Sequence, residues 1–566
     1  MNDRPAPYNG QGDPDSQPGD DSQPESVQRT RATSNPNGPL RCYAHVSDED
    51  PQSPWAEKTV LALDGGGIRG YSSLLILQHL MSKIEDLEKN WTGEEGPVES
   101  SFEYPWREKE PSKSGFIPST NQFYPCHYFD YIAGTSTGGL SAIMLSRLRM
   151  SIDEALTQYT EFGNSVFGQP RWFHERSLSY LPRAKYPSRK VRGAILRLIH
   201  ERLLLKIYNA GKWQAQHESF ASRDDQSRTM AVSFSKDPEE GIDQFYLFRS
   251  YSHNKGSATS EHRFRPMNPG PAHSGPLWEV ARATSAAPTY FEAITFMNRK
   301  FLDGGLGANN PGRIALQEVC QMHAPHRPAL LVSVGTGVKR DNRAKEKPKK
   351  RDQARDLFKI DRPDKVPRKQ GLQKLMELTH FMKDFTTDTE VTENDLNFTA
   401  HEMQVPYRRL NVSNDLATCI PLDDWRPAQS GQITLNAIKD YTNEYLKLQT
   451  TQEDLTYCAQ VLVARRRRRA ITERWEWFAT DIKYHCQAEG CLGSPLSQYK
   501  KRGELRKHLK RSHSHELTLD PDDLEARLDD GRILTEPKKK ETENGAEKSN
   551  HAPQTKLTNG HSNANP

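Results

Sequence analysis

Two apolar periods alternate along the chain between about Glu57 and Lys339. TVLAL, Thr59 to Leu63, is an unbroken apolar run, the pattern of a parallel strand covered on both faces. Beyond it, YSSLLILQHLMSKIEDLEKN sets Leu74, Leu77, Leu80, Met81, Ile84 and Leu87 three and four residues apart, which predicts a helix with one buried stripe. The same order returns in YFDYIAG and LSAIMLSRL, around residues 128–148. TMAVSF (229–234), FYLFRSY (245–251) and ALLVSVG (329–335) are further strands by the same reading. Alternating strands and helices indicate an α/β fold with a mainly parallel central sheet flanked by helices. Past residue 370 the period is mostly helical. Leu372, Leu375, Met376, Leu378, Met382 and Phe385 form one stripe and ITLNAIKDYTNEYLKL carries another, with YRRLNV as a strand and IPLDDW as a turn between them.

Elsewhere the period fails, which divides the chain. Residues 1–55, rich in Pro, Ser, Asp, Gln and Gly, read as a disordered arm, because too little apolar surface is present to offset the entropy of ordering. The α/β domain spans 56–340, with a surface insertion between Gly93 and Phe123. A basic linker follows at 341–370, then a helical extension completing the domain at 371–480. A small module occupies 481–516, and a charged disordered tail 517–566.

Composition adds limits. Of 566 residues, 34% are hydrophobic and 27% charged, which is low for a wholly packed globule and agrees with sizeable unstructured parts. No apolar run approaches the roughly 20 residues that span a bilayer. The opening residues have neither a basic start nor an apolar core, so no secretory signal is expected. Seven scattered cysteines do not suggest a secreted disulfide framework. The expected location is cytoplasmic and peripheral to membranes, or nuclear. A net charge of +4 names no partner, although RRRRR (465–469) concentrates charge. That run reads as the solvated face of a helix, in preference to a nuclear-import or membrane-surface patch.

The first candidate chemistry lies at DGGGIRG. Backbone NH groups reach a developing anion only where no Cβ blocks the approach, and a glycine turn opening a helix adds the positive end of its dipole. Gly65, Gly67 and Gly70 also fit G-x-G-x-x-G, so a dinucleotide site competes. The acidic residues that reading would need, Asp86 and Glu88, fall inside the first predicted helix. YIAGTSTGGL favours the other course. Gly134-Thr135-Ser136-Thr137-Gly138 is a G-x-S-x-G nucleophile elbow between a predicted strand and helix. None of the 19 histidines has a convincing setting as its base. Asp303, before Gly304 and Gly305 in RKFLDGGLGANNP, can serve if burial raises its pKa. The plainer alternatives are a helix-capping Ser136 and a turn-forming Asp303. Arg69 either faces the anion or pairs with Asp64 or Asp303, and Asp64 braces the loop.

DGGGIRG, GTSTG and DGG, in this order, resemble the three signatures of the patatin-like phospholipase family. ATSAAPTYF (283–291), NNP (309–311) and VSVGTG (332–337) are similar to family sequence as well. The resemblance covers about residues 57–340. It implies a patatin-like three-layer fold, Ser136 as nucleophile, Asp303 as its base, and an oxyanion region of Gly65, Gly66 and Gly67 with Arg69 nearby. It implies no cofactor for catalysis. Substrates would be acyl esters of phospholipids, lysophospholipids or acylglycerols, met at a membrane surface and cleaved through an acyl-Ser136 intermediate. Acyl transfer to a lipid alcohol is the near alternative.

A second constellation sits at 481–516. Four residues separate Cys486 from Cys491 and four separate His508 from His513, spacings that suit a structural zinc ion. Sixteen residues lie between Cys491 and His508, against about 12 in the usual two-cysteine, two-histidine finger, which lengthens the hairpin. The rival is a basic helix with incidental cysteines. Lys500, Lys501, Arg502, Arg506, Lys507, Lys510 and Arg511 would suit nucleic acid, anionic lipid or a protein partner. This opens a reading of another class, a nucleic-acid-binding or scaffolding protein with a vestigial hydrolase domain.

Overall fold

The structure is a computed structural model that describes residues 52–103 except 94, 122–171, 184–204, 213–223, 226–236, 243–253, 267–338, 389–480, 482–491, 497–517 and 521–533. The linker at 341–370, the stripe from Leu372 to Phe385 and most of the two terminal segments lie outside the described residues.

Eight strands form one sheet: β1 (Thr59–Leu63), β2 (Tyr131–Thr135), β3 (Arg228–Lys236), β4 (Asp243–Arg249), β5 (Ile294–Phe296), β6 (Arg299–Asp303), β7 (Leu330–Val334) and β8 (Tyr407–Leu410). Their order is β5-β6-β3-β2-β1-β7-β8, with β4 on the other edge of β3. β3, β2, β1, β7 and β8 run parallel, whereas β4, β5 and β6 are antiparallel to their neighbours.

Alternation along β1 shows why its run is wholly apolar. Leu61 and Leu63 enter one core cluster, while Val60 and Ala62 enter the other. The first cluster takes the stripe of the helix Gly70–Lys89, against which Gln432–Leu446 and Gln449–Ala470 pack. The second takes Ala315, Leu316 and Val319 of the helix Gly312–His323 with Leu396 and Ala400 of Thr389–Glu402. Helices on both faces of the sheet make three layers. No described helix is long and apolar enough to cross a membrane.

Three expectations are corrected. The arginine run is not a solvated face: Arg465, Arg466, Arg467 and Arg469 are buried, and only Arg468 is exposed. Arg466 and Arg467 flank the fully buried Glu88 at 3.7 and 2.7 Å, Arg469 holds Asp130 at 2.9 Å, and Arg465 pairs with Glu57. Their planar guanidinium groups also stack on Trp475, Trp91 and Trp55. Trp55, placed in the arm expected over 1–55, packs instead in a cluster with Trp475 and Phe478 and donates to Thr472 Oγ1 at 3.0 Å. The charged tail expected over 517–566 includes regular structure. Pro521–Asp530 is helical, and Arg532–Ile533 (β11) joins Lys483–His485 (β9) and Gln498–Tyr499 (β10) in a second, antiparallel sheet. Leu528 anchors that segment against Leu505 and Leu509.

Candidate active site

β3 acts as a ruler that brings two distant residues together. β2 runs parallel to it and ends with Thr135 opposite Val232. β6 runs antiparallel along the same edge and ends with Asp303 opposite Ser233. Two strands therefore finish nose to nose, and the residues at the junction are Ser136 and Asp303. Ser136 Oγ donates to Asp303 Oδ2 at 2.6 Å.

The turn at Ser136 is tight. Its φ of 55° lies in the region that favours glycine, a conformation that costs a non-glycine residue about 1–3 kcal/mol. A Cβ on Gly134 would stand 2.1 Å from the Gly138 carbonyl oxygen, and one on Gly138 would stand 2.3 Å from that of Leu63. The two elbow glycines thus let β2, the following helix Thr137–Ala142 and the end of β1 approach backbone to backbone. Thr284 holds the strained turn, accepting from the Ser136 amide at 3.1 Å and donating to the Val232 carbonyl at 2.7 Å. Ser136 remains partly open to solvent, while Asp303 is 2% exposed.

Burial pushes the Asp303 carboxyl up to about 7, against the opposing hydrogen bonds from Ser136 and from the Gly305 amide, the latter 2.7 Å from Oδ1. A carboxylate with a pKa near neutrality can accept a proton and return it within one reaction cycle.

The glycine loop leaves β1 beside this junction, at the carboxyl ends of the parallel strands. Gly65 is fastened: its amide donates to Asn309 O at 3.1 Å, and its carbonyl accepts from Asn309 Nδ2 and Thr336 Oγ1 at 3.1 and 2.9 Å. Among the described residues, the Gly66 and Gly67 amides find no acceptor. Gly67 has φ +57°, and a Cβ there would lie 1.9 Å from Leu422 O, so no other residue fits.

Arg69 lies buried under the loop, pairing with neither Asp64 nor Asp303. It donates to the carbonyls of Gly66 and Ala417, and burial lowers its pKa to about 10. Asp64 instead takes both Nη atoms of Arg409 on β8, at 3.0 and 2.6 Å. Burial alone would lower the Arg409 pKa, but Asp64, with Tyr407 and Glu393, outweighs it and holds it above its usual value. Thr284, Asn309, Thr336 and Arg409 carried no role in the sequence reading. Three of them lie in the stretches noted beside the main motifs, and polar side chains that fasten backbone groups leave no period to read.

A small apolar pocket lies beside the helix that follows Ser136. Leu140, Ile143 and Met144, just past Ser136, form one wall, and Ile195, Leu277 and Ala281 another. Tyr159 also lines it and donates its hydroxyl to Gly67 O. The cavity is thereby bracketed by the serine's helix and the glycine loop.

The family model "Patatin-like phospholipase" matches residues 61–316. Those residues form a patatin-like phospholipase domain. Relatives agree at modest identity. Over 280 residues the chain is 28% identical to calcium-independent phospholipase A2-gamma of Rattus norvegicus, covering 49% of this chain and 28% of that protein. Patatin-like protein 1 of Oryza sativa subsp. indica is 25% identical over 325 residues, 52% of this chain and 62% of that one. Phospholipase A I of Arabidopsis thaliana is 23% identical over 317 residues, with 50% and 21% covered. The chain thus spans less than two thirds of the length of each. The three-layer arrangement of the sheet is the patatin fold; β7 and β8 lie beyond the matched residues, and Arg409 of β8 anchors the loop within them.

Outside that domain, Cys486, Cys491, His508 and His513 come together, with one candidate ligand atom from each lying within 4.8 Å of all the others. The spacing read from the sequence therefore converges in space.

Proposed function

We propose that the chain is a serine lipid acyl hydrolase, acting on the fatty-acyl esters of phospholipids, lysophospholipids or acylglycerols at a membrane surface. One observation carries the reading: the 2.6 Å hydrogen bond from a strained, accessible Ser136 to a buried carboxylate with its pKa near 7. Asp303 takes the hydroxyl proton as Ser136 Oγ attacks the ester carbonyl. Negative charge then develops on the carbonyl oxygen, and the unengaged amides of Gly66 and Gly67 are the donors that support its stabilisation. Gly65 shapes that hole rather than donating into it, since its amide is engaged with Asn309, and Arg69 fixes the loop by holding the Gly66 carbonyl. Asp303 returns the proton to the departing alcohol, leaving an acyl-Ser136. Water deprotonated by Asp303 then releases the fatty acid. The apolar lining beside Leu140 favours a hydrocarbon chain as the group bound there, and the relatives named as phospholipases favour a phospholipid ester.

Fatty-acid release from mixed phospholipid and acylglycerol vesicles tests the dyad. Ser136→Ala and Asp303→Asn should each lower it by at least about 10³-fold. Unchanged release in both would refute the assignment.

A further inference from the structure

The described residues of 482–533 are poorly equipped to fold by packing alone. Their apolar interior is a small cluster of Ile482, Tyr484, Cys486, Leu505, Leu509 and Leu528, joined to a sheet in which two strands have only two residues. A unit of about 50 residues with so little core ordinarily needs a metal or a disulfide. Cys486 and Cys491 are free thiols.

We propose that Cys486, Cys491, His508 and His513 bind a structural zinc ion, and that the module this ion closes is an intramolecular buttress of the patatin-like domain. The donor set is two sulfurs and two imidazole nitrogens. Cys491 Sγ stands 3.6 Å from His508 Nε2 and 3.3 Å from His513 Nε2. A tetrahedral zinc with Zn–S near 2.3 Å and Zn–N near 2.0 Å separates sulfur from nitrogen by about 3.5 Å. His513 points its other nitrogen, Nδ1, at Glu516 Oε1, 2.9 Å away, and Arg527 holds the same carboxylate. A ligating imidazole oriented by a carboxylate behind it is a recurrent feature of zinc centres. Binding displaces the two thiol protons to solvent and leaves two thiolates and two neutral imidazoles around the dication, with no net charge at the centre.

The buttress runs through the helix Glu473–Ala479. From the module, Arg532 reaches the fully buried Glu476 at 2.5 Å, the Tyr484 hydroxyl donates to Glu476, and Arg506 pairs with Glu473. Lys501 lies over the Trp477 ring. From the patatin-like domain, Arg149 donates to the Phe478 and Ala479 carbonyls at 3.3 and 2.6 Å, and Arg223 to those of Trp477 and Thr480 at 2.9 and 3.0 Å. Cations thus cap the carbonyl end of a short helix. Arg149 sits just past Ile143–Arg147, which continues the helix that follows Ser136. Two of the basic side chains suited to nucleic acid are committed inside the protein instead, Arg506 as above and Arg502 to Glu525 and Asp529 at 2.9 and 2.6 Å. Opening the module would withdraw Arg532 from Glu476 and leave a buried carboxylate short of its cation.

Full-length chain expressed with ample zinc and analysed for metal should carry about one zinc per chain, and Cys491→Ser should carry none. Wild-type chain without stoichiometric zinc would overturn the site. Hydrogen exchange tests the buttress. Removing the metal with a strong zinc chelator should cut amide protection in Glu473–Ala479 at least about tenfold while β1 and β2 keep theirs. Arg532→Gln should retain the zinc yet lose the same protection. Unchanged protection of that helix in both cases would overturn the buttress even if zinc is bound. Neither readout involves ester hydrolysis, so the outcome is independent of the proposed activity.

Discussion

At the scale of single residues, the pH dependence of the site follows from how Asp303 is housed. Its pKa stands near 7 because burial penalises the carboxylate more than Ser136 and the Gly305 amide favour it. Only the ionised form can take the serine proton, so kcat/KM should rise about tenfold per pH unit below 7 and level off above it. An ordinary aspartate would give a flat profile from pH 5 to 9, which is the contrary result. That Ser136, Asp303 and the glycine loop converge was legible in the sequence because each is flanked by small residues that permit close backbone approach. The fate of Arg69 was not, since the competitor that claims Asp64 is Arg409, 345 residues away. Nor was it legible that the Gly65 amide is engaged, because Asn309 reaches it only through the fold.

Among elements, strands were the most readable. TVLAL was bounded from its apolar run alone and is β1 residue for residue, because a strand covered on both faces must be apolar throughout. The arginine run misled for the opposite reason: charge implies solvent until partners appear, and Glu88, Asp130 and Glu57 all lie more than 300 residues earlier. The helix Gln449–Ala470 is therefore a clamp of buried cations across the first helix and the start of β2. Replacing Arg467 by Ala strips Glu88 of its nearer cation and should cost about 3–5 kcal/mol. Arg468→Ala, on the exposed side, should stay within about 0.5 kcal/mol of wild type. Urea denaturation of both variants checks this, and equal effects would contradict the clamp.

Over the whole molecule, the α/β class and the three layers were legible, while the packing of Trp55 and Leu528 was not. Trp55 and Leu528 sit in low-complexity or charged surroundings and are held only by tertiary partners. The second face of the sheet depends on another buried charge. Glu318, on the helix Gly312–His323, takes Arg249 at the end of β4 at 2.5 Å, together with His253 and Tyr251. Burial alone would raise its pKa, but Arg249 and His253 prevail and hold it at about 2. A carboxylate with its folded pKa lowered contributes in full above its unfolded pKa of about 4.5, and the contribution is lost as pH falls from there through about 2. Glu318→Gln should thus destabilise the chain by about 3–5 kcal/mol at pH 7, with the gap narrowing at pH 3. A gap independent of pH would show that the ion pair is not its source.

The most direct test of the central claim is to catch the covalent intermediate. The full-length chain is mixed with an activated fatty-acyl ester, quenched in acid within the first turnovers and mapped by peptide mass spectrometry. The acyl mass should appear on the peptide containing Ser136 and vanish in Ser136→Ala. Hydrolysis that persists in that variant, or an acyl group carried by a different residue, would contradict the account.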